Sequence, residues 1–146
     1  MHRFYPIIVV LVFMFSSSFV AMAHQGATGI VKDRMDRFAQ TKTDIRNALR
    51  HADNGAFDDV IETSRRIAEW GRIMPDFFPE GSTQPPTESA PAIWDDFAGF
   101  TAAGLAMSTA ADRVIAAAET ADIDATVTAI QSLGQTCGAC HRHYRK

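Results

Sequence analysis

The segment Cys137-Gly138-Ala139-Cys140-His141 carries the most specific chemistry in this 146-residue chain. On a helix, residues three apart share a face. Two thiols on one face can each bond a vinyl group along one edge of a porphyrin, forming thioethers, and an imidazole on the following residue can turn beneath the iron as its proximal ligand. Gly138 and Ala139 are small enough for a flat macrocycle to lie close to the backbone. The motif therefore reads as a site for one covalent haem c, with Cys137 and Cys140 as attachment points and His141 on the metal. Three other chemistries use the same residue types. A redox dithiol normally opens a helix that follows a strand, whereas this motif closes a helical pattern. A zinc site needs more ligands, and outside the motif and the leader only His24, His51 and His143 offer imidazoles. A disulfide across two intervening residues of a helix is strained.

The elements that must position these groups are helical. The first segment, about residues 28–51, repeats Val31, Met35, Phe38, Ile45 and Leu49 at helical spacing, with Lys42 as a polar break; Asn54-Gly55 ends it. The second, about residues 56–74, aligns Phe57, Val60, Ile61, Ile67 and Met74, and Pro75 stops it. Phe77 and Phe78 are placed to plug one end of the core. Residues 79–91, rich in Pro and small polar residues, form a loop longer than a helix hairpin requires, which predicts an overhand connection across the bundle. A third helix starts near Ser89-Ala90-Pro91, with Ser89 or Ala90 as cap and Pro91 in the first position, and runs through Trp94, Phe97, Phe100, Met107 and Val114. A fourth starts at Asp122 as N-cap and carries the haem motif. Helices of about 20 residues are about 30 Å long, and the natural packing is an all-α antiparallel four-helix bundle.

Composition agrees. With 47% hydrophobic and 21% charged residues the chain can pack a core, and one domain suits its length. Two cysteines exclude a disulfide scaffold, and a net charge of −3 offers no basic face for nucleic acid. Residues 1–23 read as a secretory signal peptide: His2 and Arg3, an apolar run over residues 6–20 interrupted by Ser16, Ser17 and Ser18, then Ala21-Met22-Ala23 as cleavage site. The run is short for a membrane span of ~20 residues. A domain of residues 24–146, released into the periplasm without stable membrane insertion, is expected.

With these residues on the page, the chain resembles the class II c-type cytochromes, the cytochrome c′ family. The haem motif close to the C-terminus is the most specific match. Val31-Lys32-Asp33-Arg34, Phe78-Pro79-Glu80-Gly81-Ser82, Ala90-Pro91-Ala92-Ile93-Trp94 and the tail His141-Arg142-His143-Tyr144-Arg145-Lys146 are also similar to family segments. The resemblance implies a four-helix bundle with haem buried near one end. It implies that Phe38, four residues after Arg34, faces the open side of the iron. A phenyl ring cannot ligate, so the iron would be five-coordinate and largely high-spin, open to NO or CO and unfavourable to water and anions for want of a donor. It places Arg34 and Arg145 near the haem propionates and the proximal ligand, where a cation favours the reduced state. Trp70, Trp94 and Tyr144 belong to the core or the haem wall.

Two alternatives stay open at this level. Met35, one turn before Phe38, could ligate the iron and give a low-spin six-coordinate electron carrier. The protein could also be an NO buffer or sensor rather than a carrier of single electrons to a redox partner. A substrate-converting enzyme has little support, because no acid–base pair or distal histidine stands out. Family members are often homodimers through their first two helices.

Overall fold

The computed structural model describes residues 26–146, so the signal-peptide reading of residues 1–23 and the mature start at His24 lie outside the described residues. Five helices follow in order: α1 (Gly29–Asp53), α2 (Phe57–Ile73), α3 (Ala92–Asp95), α4 (Phe97–Ala118) and α5 (Ile123–Tyr144). The four long ones form an antiparallel bundle in which each packs on its chain neighbours and α5 closes back on α1. A 3₁₀ turn at Met74–Phe77, with Pro75 inside it, ends α2.

Three local expectations need correction. The third helix is divided. The backbone at Asp96 leaves the helical region (φ −134°, ψ 62°), and its carboxylate accepts from Gly99 N at 3.0 Å, so Asp96 caps α4 and leaves α3 as a single turn. Neither Ser89 nor Ala90 caps α3: Pro91 precedes its first residue, and Ser89 is engaged elsewhere. The loop over residues 79–91 is not an overhand crossing, since α2 and α4 are neighbours with the most extensive interface in the bundle. Asp122 does cap α5, accepting from Ala125 N at 2.9 Å.

The closeness of α2 and α4 has a simple cause. A methyl group on Gly71 would stand 2.8 Å from Gly104 O and from Ser108 N, so only a bare Cα lets these two backbones approach as they do. The core between them holds Val60, Ile67, Met74, Phe100, Ala111 and Val114, all at most 2% exposed. Phe78 is buried at one end, as a plug should be.

In α1 the buried seam is not the apolar stripe. Val31, Arg34, Thr41, Asp44, Ala48 and Ala52 are buried, whereas Met35, Phe38, Ile45 and Leu49 are half-buried along a flank. Polar side chains tolerate that seam because each has a partner. Asp44, 2% exposed, accepts from Arg66 Nη2 at 2.9 Å and from Gln40 Nε2 at 3.0 Å, tying α1 to α2.

Candidate haem site

Cys137, Cys140, His141 and Tyr144 project from the last two turns of α5. Both cysteines are free and half-buried. Removal from water raises both thiol pKa values, and at Cys140 the nearby Cys137 thiol adds to the rise. His141 is exposed, and its pKa is lowered, first by partial desolvation and then by the Arg145 cation, with Glu88 opposing. Both lowering effects favour the neutral imidazole, the form that ligates metal. No group of three or more His, Cys, Asp or Glu side chains among the described residues could hold a metal by itself, so the zinc alternative has no ligand set there.

A run of edge-on aromatic contacts ends on this tail. Trp70 meets Phe38 at 5.3 Å between ring centroids, Phe38 meets Phe78 at 6.4 Å, Phe78 meets Phe100 at 4.7 Å, and Phe100 meets Tyr144 at 5.4 Å. Phe38 is therefore within one aromatic network with the helix that carries the cysteines. Tyr144 donates to Asp96 Oδ2 at 3.0 Å, and Trp94 Nε1 donates to Phe78 O at 3.1 Å. These contacts put Trp70, Trp94 and Tyr144 in the walls around this end of the bundle.

Arg34 is fully buried, 1% exposed. Its guanidinium donates to Phe77 O at 3.2 Å, Ser82 Oγ at 2.7 Å, Ser82 O at 2.6 Å, Thr87 Oγ1 at 2.9 Å and Ser89 Oγ at 3.3 Å, and stacks 4.3 Å from the centre of the Phe78 ring. All these acceptors are uncharged. Burial lowers the Arg34 pKa from its usual value. Arg145 pairs with Glu88 on the same loop (Nε to Oε2, 2.6 Å), and Lys146 N donates to Glu88 O at 2.8 Å. Ser89 and Arg145 form an antiparallel bridge. The loop is thus clasped to α1 on one side and to the chain end beyond His141 on the other. Sequence reasoning missed Ser82, Thr87, Glu88 and Ser89. In the sequence Ser82 reads only as part of a segment similar to the family and Ser89 only as a candidate helix cap, and no local pattern marks any of the four as a partner of two distant arginines.

A haem fits what is present. The donor set is two unbridged thiols and an adjacent imidazole on one helix. Across from it, α1 turns a half-buried apolar flank, and α1 with α5 has the sparsest interface among neighbouring long helices. A buried guanidinium with only neutral acceptors suits an anionic group close by.

Helical bundles that hold a haem are one class of such architecture. A family model described as Cytochrome C' matches residues 29–145, and the chain belongs to that family. Members bind a single covalently attached haem c with its iron. Cytochrome c-556 of Agrobacterium fabrum is 42% identical over 79 residues, covering 54% of this chain and 53% of that one. Cytochrome c' of Rhodospirillum rubrum is 39% identical over 89 residues, covering 60% of each. Cytochrome c-556 of Agrobacterium tumefaciens strain II Chrys is matched over 63% of its length, so the aligned stretch is less than two thirds of each of these relatives. Among solved structures, cytochrome c' from Rubrivivax gelatinosus superposes with a TM-score of 0.66 at 25% identity, covering 77% of this chain and 91% of that one. A nitric oxide complex of a point mutant of cytochrome c prime from Alcaligenes xylosoxidans shares the fold, with a TM-score of 0.69 at 22% identity, covering 80% and 94%. No helix among the described residues is long and apolar enough to cross a membrane.

Proposed function

We propose that this protein is an exported, periplasmic one-electron carrier, cleaved after Ala23, whose residues 24–146 bind haem c through Cys137 and Cys140 with His141 on the iron and Phe38 over the opposite, open face. The observation that carries this reading is the pair of unbridged, half-buried thiols beside His141 on α5. When bound, the haem supplies a one-electron couple and a position where a small neutral gas such as NO or CO can attach.

The polypeptide does the rest. His141, whose surroundings favour the neutral imidazole, would be the residue to hold the iron. Phe38, backed edge-on by Trp70 and Phe78, fills the far side with carbon and disfavours water there. Arg34 contributes a buried positive charge, and Arg145 one that Glu88 partly offsets; a net cation near the iron favours the reduced form, which has one positive charge fewer. The nitric oxide complex of a protein with the same fold supports gas uptake as a companion property.

Produced with intact c-type maturation machinery, the protein is expected to be coloured, with a mass one haem above that of the bare polypeptide. Its ferrous spectrum should show a broad high-spin band that moves when NO or CO is added. Colourless protein of bare mass overturns the reading. A methionine–iron charge-transfer band with no gas response would instead put Met35 on the iron. Phe38→Met offers a second check: a thioether in place of the ring should drive the iron to six-coordinate, low-spin form. An unchanged spin state would mean that position 38 does not face the metal.

A further inference from the structure

Among the described residues three buried side-chain polar atoms have no hydrogen-bond partner: Ser64 Oγ, Ser108 Oγ and Trp70 Nε1. The two serines lie inside helices, where a hydroxyl can rotate onto a carbonyl of the preceding turn. An indole cannot do this. It has a single donor in a fixed direction and no acceptor, so burying it unmet is costly. The other tryptophan shows the usual outcome: Trp94 Nε1 donates to Phe78 O at 3.1 Å and Pro79 O at 3.2 Å.

The surroundings of Trp70 narrow the choice of acceptor. The residue is 4% exposed, so bulk water is shut out. Its ring touches Phe38 at 5.3 Å and Phe77 at 5.2 Å between centroids, and the Arg37 guanidinium lies 5.3 Å from the ring centre. The phenyl rings present carbon, and a guanidinium only donates. We propose that the Trp70 N–H is a donor to an acceptor oxygen that arrives with the haem: that of a small ligand on the face covered by Phe38, or a carboxylate of the haem's own edge. This rests on the haem reading above, and it changes one part of it. The pocket read from sequence as lacking a donor has one, supplied by α2 and missed because tryptophan at helical spacing looks like plain core. Such a donor favours a ligand with negative charge on its outer atom over one without.

Ultraviolet resonance Raman spectroscopy of the haem-loaded protein tests this through the indole modes that respond to N–H hydrogen bonding, with Trp70→Phe subtracted to isolate the residue. A bonded indole in gas-free protein, unmoved by NO, assigns the carboxylate. A bonded indole that emerges only with NO assigns the ligand, and Trp70→Phe should then release NO about three- to tenfold faster. A free indole with and without NO overturns the proposal. Should Trp70→Phe fail to fold, Trp94→Phe leaves Trp70 as the sole indole of the chain, which has two tryptophans, and reads the same bands. Failure of the haem reading is separate: the unsubstituted protein would then lack covalent haem by mass.

Discussion

Exchange of His141 for alanine is expected to leave the haem attached while removing its protein ligand. In the proposed arrangement the two tasks are divided: the thiols of Cys137 and Cys140 tether, and the neighbouring imidazole ligates. The pyridine haemochrome of the variant should therefore match that of the parent in intensity, while the native Soret and visible bands are lost. The loss should be complete rather than graded, because no other histidine of the described chain shares this part of α5 except His143, two residues on and on a different face. Added imidazole should restore the parent spectrum by occupying the vacated volume. A variant whose spectrum is unaltered before imidazole is added would show that His141 is not the ligand, even with the thioethers intact.

Arg34→Ala is expected to have the largest effect on stability. The substitution takes away a buried side chain that serves five acceptor contacts at once and stacks on Phe78. The carbonyl groups of Phe77 and Ser82 and the Ser82 hydroxyl would lose this donor, whereas Thr87 and Ser89 would keep the hydrogen bond between their own hydroxyls at 2.8 Å. With about 1–3 kcal/mol at stake for each buried group left unmet, and some of them regaining water, a loss of about 3 kcal/mol or more follows. That corresponds to a fall in Tm of roughly 10 °C or more. Arg34→Lys should recover only part of it, because a point-like ammonium cannot span acceptors that a flat fork reaches. Thermal unfolding followed by circular dichroism measures the fall, and limited proteolysis within residues 79–91 reports the freed loop. A Tm within a degree or two of the parent would show that the loop holds without Arg34.

The parts of this molecule that were legible in the sequence are those with local signatures. The haem motif has fixed spacing. The ends of α1, α2 and α5 are marked by Asn54-Gly55, by Pro75 and by Asp122, residues whose backbone or side-chain chemistry acts within one turn. The break before α4 was hidden because Trp94, Phe97 and Phe100 keep helical spacing across it, and Asp96 looks like a surface residue until its carboxylate is seen on Gly99 N. The orientation of α1 was hidden for a different reason. Periodicity counts apolar residues, and the buried seam contains Arg34, Thr41 and Asp44. Arg34 and Asp44 are buried because of partners 43 to 55 and 22 positions away, which no window along the chain can register. The same applies to Arg145, whose partner Glu88 is 57 positions distant.

Those separations also imply an order of assembly. Contacts within the α1–α2 and α4–α5 hairpins join stretches adjacent in the chain and form early, whereas closing a span of 57 residues carries a larger entropic cost and gains nothing until both partners are in place. By that criterion the latch over residues 82–89 forms after those hairpins. Until it does, residues 82–89 do not hold the chain end beyond His141, and α5 keeps a free end beside Cys137 and Cys140.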